Sequence, residues 1–188
     1  MFELQSSSFS HGGEIPEKYT ADGEAISPPL SWSDIPKKTK SLALAMTDPD
    51  ALPMATPAIF AHWTVYDIPA SVTGLSEGAG SGGELPQETK ELTNTSASMG
   101  IKMWPGYFPP WPPDKSHRYT FTLYAVSEEN LSVGKDANFM DFMKAILPIT
   151  ISSATLVGIY GPSKSKMPTS VQIKAMPHFI WRRLAYKV

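Results

Sequence analysis

Three short stretches, far apart in a chain of 188 residues, carry the side chains with which this sequence could do chemistry. The first is Asp48-Pro49-Asp50, where an apolar run stops at two carboxylates flanking a proline. Proline fixes φ and donates no hydrogen bond, so the chain leaves a sheet there, with side chains at i and i+2 free to point toward one mouth. A turn in which both carboxylates merely bond backbone amides fits the same residues. The second is His62-Trp63, an ionisable ring in an otherwise apolar or β-branched segment. A histidine there needs a partner, whether it meets a ligand or only holds the structure together. The third runs from Gly106-Tyr107-Phe108-Pro109-Pro110-Trp111-Pro112-Pro113 into His117-Arg118-Tyr119. Four prolines in five residues make a stiff loop, suited to the wall of a small pocket or to covering a sheet edge. Imidazole nitrogens and a phenol can bond the oxygens of an anion, and a carboxylate can orient an imidazole.

The elements that must position these residues are mostly strands. Leu42, Leu44 and Met46 alternate with Ala43 and Ala45 without polar interruption, which predicts an inner strand covered on both faces. From Ile59 to Val65, alternation sets Ile59, Ala61, Trp63 and Val65 on one face and Phe60, His62, Thr64 and Tyr66 on the other. His62 is therefore expected to face away from Trp63. The stretch from His117 to Val126 predicts a third strand, with His117 and Tyr119 sharing a face and Arg118 on the other, in a structural role. Phe139, Phe142, Met143 and Ile146 recur at helical spacing, with Asp136 available as the cap and Pro148 at the end. Leu156 to Tyr160 reads as a closing strand in which Gly158 marks a bulge or a close backbone approach. The Pro-, Gly-, Ser- and Asp-rich stretch from Gly12 to Pro36 reads as a surface-running lead-in. Together these predict a mainly antiparallel β fold with peripheral helix.

Composition narrows the function classes. With 41% hydrophobic residues and only 18% charged, the chain is globular and of a size for one domain. It has no cysteine, which excludes a disulfide framework, a thiolate nucleophile and a cysteine zinc site, and four scattered histidines offer little to a metal. No cofactor is expected. The first residues carry no basic region followed by an apolar run, and no stretch is long and apolar enough to span a membrane, so a cytoplasmic protein is expected. Residues 161–188 hold six basic side chains and no acidic one, so a net charge of −2 overall places −8 on residues 1–160. The reading is one domain over 1–160 and a basic C-terminal extension over 161–188 packing on or near it.

The order of the motifs resembles the phosphatidylethanolamine-binding proteins, specifically their shorter bacterial and archaeal branch. The residues that carry the likeness are Ile15-Pro16, Tyr19-Thr20, Asp22-Gly23, Ser27-Pro28-Pro29-Leu30-Ser31-Trp32, Lys40 to Leu44, Asp48 to Ala51, His62 to Pro69, and Gly106 through Pro113 to Tyr119. The resemblance covers roughly residues 9 to 160. It implies a sandwich of two antiparallel sheets with peripheral helices, and a small pocket that takes phosphate-like or carboxylate groups. It makes Asp48, His62, Pro112, His117 and Tyr119 ligand-binding residues; on chemical grounds Asp48 can accept a proton from His62 and hold its tautomer and orientation. Pro49, Asp50, Trp63 and Arg118 become structural support. The sequence departs from the family pattern in an extra stretch from Leu52 to Phe60, in Pro109, Trp111 and Lys115, and in a shortened loop before His117. These departures bear on pocket width and ligand preference.

The functional expectation is non-catalytic binding of a phosphate, phospholipid head group or carboxylate, with a regulatory or inhibitory role toward a protein kinase or serine protease. A hydrolase using an Asp-oriented His is the first alternative, weakened because no nucleophile stands near His62 in sequence other than Thr64 and Ser116. The second is peripheral membrane binding, in which Ile180, Trp181, Leu184 and Val188 form an apolar helix face beside Arg182, Arg183 and Lys187. A homodimer is implied only by the resemblance. Nucleic-acid binding is not expected of an acidic body without a reading motif.

Overall fold

The computed structural model describes residues 1–51, 59–94, 106–134 and 136–164. The chain is mainly β, with two sheets and, among the described residues, one short α-helix. A small sheet takes the order β1-β3-β6, from β1 (Glu3–Gln5), β3 (Leu30–Ser33) and β6 (Gly74–Leu75). A large sheet takes the order β2-β9-β8-β4-β5-β7. Its members are β2 (Gly13–Glu14), β4 (Ser41–Asp48), β5 (Phe60–Pro69), β7 (Lys90–Glu91), β8 (His117–Val126) and β9 (Thr150–Tyr160). All its pairs are antiparallel except β2 with β9.

β4 sits in the middle of the large sheet and shows why its sequence is apolar throughout. Leu42, Leu44 and Met46 enter the core between the sheets, with Leu4, Leu30, Trp32 and Leu75 from the small sheet and Phe121 and Leu123 from β8. Ala43 and Ala45 face the other way, where their small side chains lie beneath Phe139, Phe142 and Ile146 of α1 (Phe139–Ile146). The large sheet is thus buried on both faces. The helix begins at Asn138, not Asp136. Asn138 Oδ1 accepts from the Met140 and Asp141 amides, and Asp141 Oδ2 accepts from the Asn138 amide, a reciprocal cap.

Two further expectations are corrected. The Gly12 to Pro36 stretch is not a surface lead-in: it contributes β2 and β3, and buries Ile15, Tyr19, Leu30 and Trp32. β9 is longer than Leu156 to Tyr160, because its first residues alternate exposed and half-buried and lack the apolar signal of a strand. Gly158 does mark a close approach. A Cβ there would fall 2.4 Å from Ile15 Cγ1. Most of the stretch from Leu52 to Phe60 and of the 161–188 extension, including Phe179 to Val188, lies outside the described residues.

Candidate functional site

β4 lies between β5 and β8, so the C-terminal end of β4 and the starts of both neighbours meet at one end of the large sheet. This brings Asp48, His62, His117 and Tyr119 around a hollow of about 40 Å³, lined also by Pro112 and by the side chains of Phe60, Phe108 and Trp111. All four polar residues are buried.

His62 reaches the hollow through an irregularity that alternation does not predict. Asp48 pairs with Phe60 and Thr47 with Ala61, but Met46 pairs with Trp63, so His62 is an extra residue on β5. This β-bulge puts His62 and Trp63 on the same side of the sheet, against the expectation that they face apart. Trp63 goes into the core beneath the site, where it meets Tyr107 edge-on and its Nε1–H donates to Glu91 at 2.6 Å. It does not line the hollow.

Asp48 serves the turn and the site at once. Its Oδ1 accepts from the amides of Asp50 (2.8 Å) and Ala51 (3.0 Å), which fixes the carboxylate. Its Oδ2 accepts from His117 Nδ1 at 2.7 Å. The expected pairing with His62 is corrected by this geometry: His62 Nε2 lies 3.9 Å from Oδ2, beyond hydrogen-bond reach. His62 is oriented instead by the proline-rich loop, for its Nδ1 donates to the Phe108 carbonyl at 2.9 Å while the Phe108 amide donates to the His62 carbonyl at 2.8 Å. Its Nε2 makes no hydrogen bond among the described residues. Burial by itself raises the Asp48 carboxyl, but the two imidazoles beside it outweigh that and hold it below the ordinary value.

Tyr119 stands edge-on to His62, with ring centroids 5.2 Å apart. Its hydroxyl is buried and makes no hydrogen bond of good geometry among the described residues, although the Trp111 amide is near enough to act on it. Burial, and then the Asp48 charge, push its ionisation far above that of an ordinary phenol, so it meets any ligand as a neutral O–H. Pro49 is exposed at the turn. Asp50 is gripped by Arg118, whose Nε (2.9 Å) and Nη2 (2.8 Å) donate to its two oxygens while the Arg118 amide adds a third bond at 3.0 Å. Those bonds hold the Asp50 carboxyl well below the usual carboxylate range.

Phe60, Phe108 and Asp114 were not singled out as site residues from sequence. Asp114 Oδ1 accepts from His117 Nε2 at 3.0 Å, so both ring nitrogens of His117 face carboxylates. Both contacts are hydrogen bonds only when the ring carries two protons, since a carboxylate can only accept. No group of three or more His, Asp or Glu is placed to hold a metal among the described residues. No helix among them is long and apolar enough to cross a membrane.

Comparisons with known proteins show the family. The family model described as phosphatidylethanolamine-binding protein matches residues 5–161. The chain belongs to the phosphatidylethanolamine-binding protein family. A UPF0098 protein of Methanothermobacter thermautotrophicus is 38% identical over 157 residues, covering 84% of this chain and 97% of that one. The UPF0098 protein YbhB of Escherichia coli is 33% identical over 141 residues, covering 72% and 85%. Among solved structures, a phosphatidylethanolamine-binding protein homolog from Chlamydia trachomatis has a TM-score of 0.74 at 36% identity, covering 86% of this chain and 98% of that one. YbcL of Escherichia coli has a TM-score of 0.75 at 29% identity, covering 85% and 97%. These relatives place the chain in the bacterial and archaeal part of the phosphatidylethanolamine-binding protein family. Ligand binding is the general class of function in that family, whose members are in general non-catalytic.

Proposed function

We propose that the hollow binds a small anionic group, a phosphate, a phospholipid head group or a carboxylate, without catalysis. The observation that carries this reading is a buried phenol hydroxyl that lacks a well-placed partner among the described residues, beside an imidazole whose Nε2 is unclaimed by hydrogen bonds among them. A buried polar group left unpaired costs about 1–3 kcal/mol, which a ligand oxygen would recover. The Asp48 charge would repel an anion, but its hydrogen bond from His117 and the two backbone amides disperse it. Phe60, Phe108, Trp111 and Pro112 limit the hollow to a small group.

Two features favour binding over hydrolysis. Ser116 Oγ donates to the Gly161 carbonyl, and Thr64 pairs with Ala45 on the opposite face of the sheet, so neither hydroxyl is presented to His62 as a nucleophile. As part of the same proposal, the anion belongs to a lipid head group or to an acidic or phosphorylated segment of a protein kinase or serine protease, and its capture regulates or inhibits that partner.

Calorimetric titration of inorganic phosphate, phosphoethanolamine and acetate tests the reading. At least one should bind, and His62→Ala and Tyr119→Phe should each weaken it about tenfold, the equivalent of about 1.4 kcal/mol. Undiminished affinity in both variants would exclude this hollow as the site. Turnover of phosphoesters or carboxylesters that disappears in His62→Ala would replace the binder with an enzyme.

A further inference from the structure

The two partners of His117 differ in kind. Asp48, on Nδ1, has a side chain only 4% exposed and is locked by the turn it closes, whereas Asp114, on Nε2, has a side chain 62% exposed. Asp114 belongs to the short link between the proline wall and β8, and the link is pinned at both ends by the residues that follow β9. The Ser163 amide donates to the Pro112 carbonyl at 2.8 Å, and Ser116 Oγ donates to the Gly161 carbonyl at 2.6 Å. Gly161 is pressed against the wall at φ +111, where a Cβ would fall 2.3 Å from Pro112 Cγ. The backbone on either side of Asp114 is thus held, and a side-chain rotation alone would take its carboxylate off the ring and into water.

We propose that Asp114 is a tethered carboxylate that occupies an oxyanion position on His117, and that an anion entering the pocket must displace it to reach Nε2. The proposal rests on the anion-binding reading of the pocket and adds a residue that sets its affinity. With both ring nitrogens carrying a proton, the exchange forms and breaks only hydrogen bonds: Nε2–H gives up one oxygen acceptor and takes another. A carboxylate carried three residues from the ring acts at an effective concentration of about a millimolar or more, so weak free anions compete poorly with it. The His117 hydrogen bond is also the largest influence that lowers the Asp114 carboxyl, consistent with a seated carboxylate.

The test is calorimetric titration of inorganic phosphate into the full chain and into Asp114→Ala and Asp114→Asn. Asp114 is exposed and outside both cores, and thermal unfolding of the variants checks that they fold. If the carboxylate is seated about 80–90% of the time, Asp114→Ala should bind phosphate about five to ten times more tightly than the natural chain. Asp114→Asn, still able to accept but uncharged, should fall between them. Equal affinity in all three overturns the tethered competitor and leaves the anion pocket standing. Weaker binding by Asp114→Ala overturns it by making Asp114 part of the ligand's grip. No phosphate bound by any of the three overturns both this proposal and the phosphate reading of the pocket.

Discussion

At the scale of single residues, the two aspartates around Pro49 divide their work. Asp48 gives one oxygen to the turn and one to His117, while Asp50 is spent on Arg118. Both carboxyls are lowered in the folded chain, so the folded state releases their protons more readily than the unfolded one. The stability they contribute is therefore fully present above the unfolded carboxylate value near pH 4, and is lost as pH falls through their lower folded values. Asp50→Asn removes one of these groups and should flatten the loss of stability below about pH 4, as read from urea midpoints across the acid range. A variant that loses stability with acid as steeply as the natural chain would show that the Arg118 fork does not contribute. The exposed guanidinium makes this a modest effect.

Elements show what could be read from the sequence and what could not. The limits of β8 and the shared face of His117 and Tyr119 followed from strand periodicity, because that strand is regular throughout its first nine pairs with β9. The inner position of β4 followed from its unbroken apolar run. His62 was misplaced because a bulge leaves no mark in an alternating pattern: the inserted residue is recognised only from its partner strand. The helix cap was misassigned because Asp136 and Asn138 are both good caps, and the choice depends on where the first turn closes. Asp114 was missed because its contact with His117 arises in an irregular loop, where spacing carries no direction. Gly158 was legible, and its reason is now specific. Gly158→Val would drive a branched side chain into Ile15 and Phe9, and should destabilise the protein by about 1–3 kcal/mol in urea unfolding. A neutral result would mean that β2 shifts away freely.

For the whole molecule, the main fact is that one core joins both sheets. Leu4, Leu30 and Trp32 pack with Leu44, Trp63 and Phe121, so the facing sides of the two sheets are kept dry only by each other. Unfolding should therefore be a single transition, with tryptophan fluorescence and far-ultraviolet circular dichroism coinciding, and separated curves would contradict a shared core. If phosphate occupies the pocket, a concentration ten times its Kd should stabilise the fold by about 1.4 kcal/mol and raise the midpoint by about 3–5 °C. The motif order announced the family without help from the coordinates, since the signatures stand at the strand ends that the topology brings together. What the order did not contain was the wiring among those residues, in which Asp48 serves His117 and a carbonyl serves His62.

The surplus residue in β5 makes the pocket depend on counting as much as on chemistry. Every side chain of the site could be kept, yet excising Ala61 alone would restore an even pleat, bring His62 opposite Thr47 on the helix side and leave Tyr119 facing a ring that is no longer there. In this strand the arithmetic of the backbone is itself part of the recognition surface.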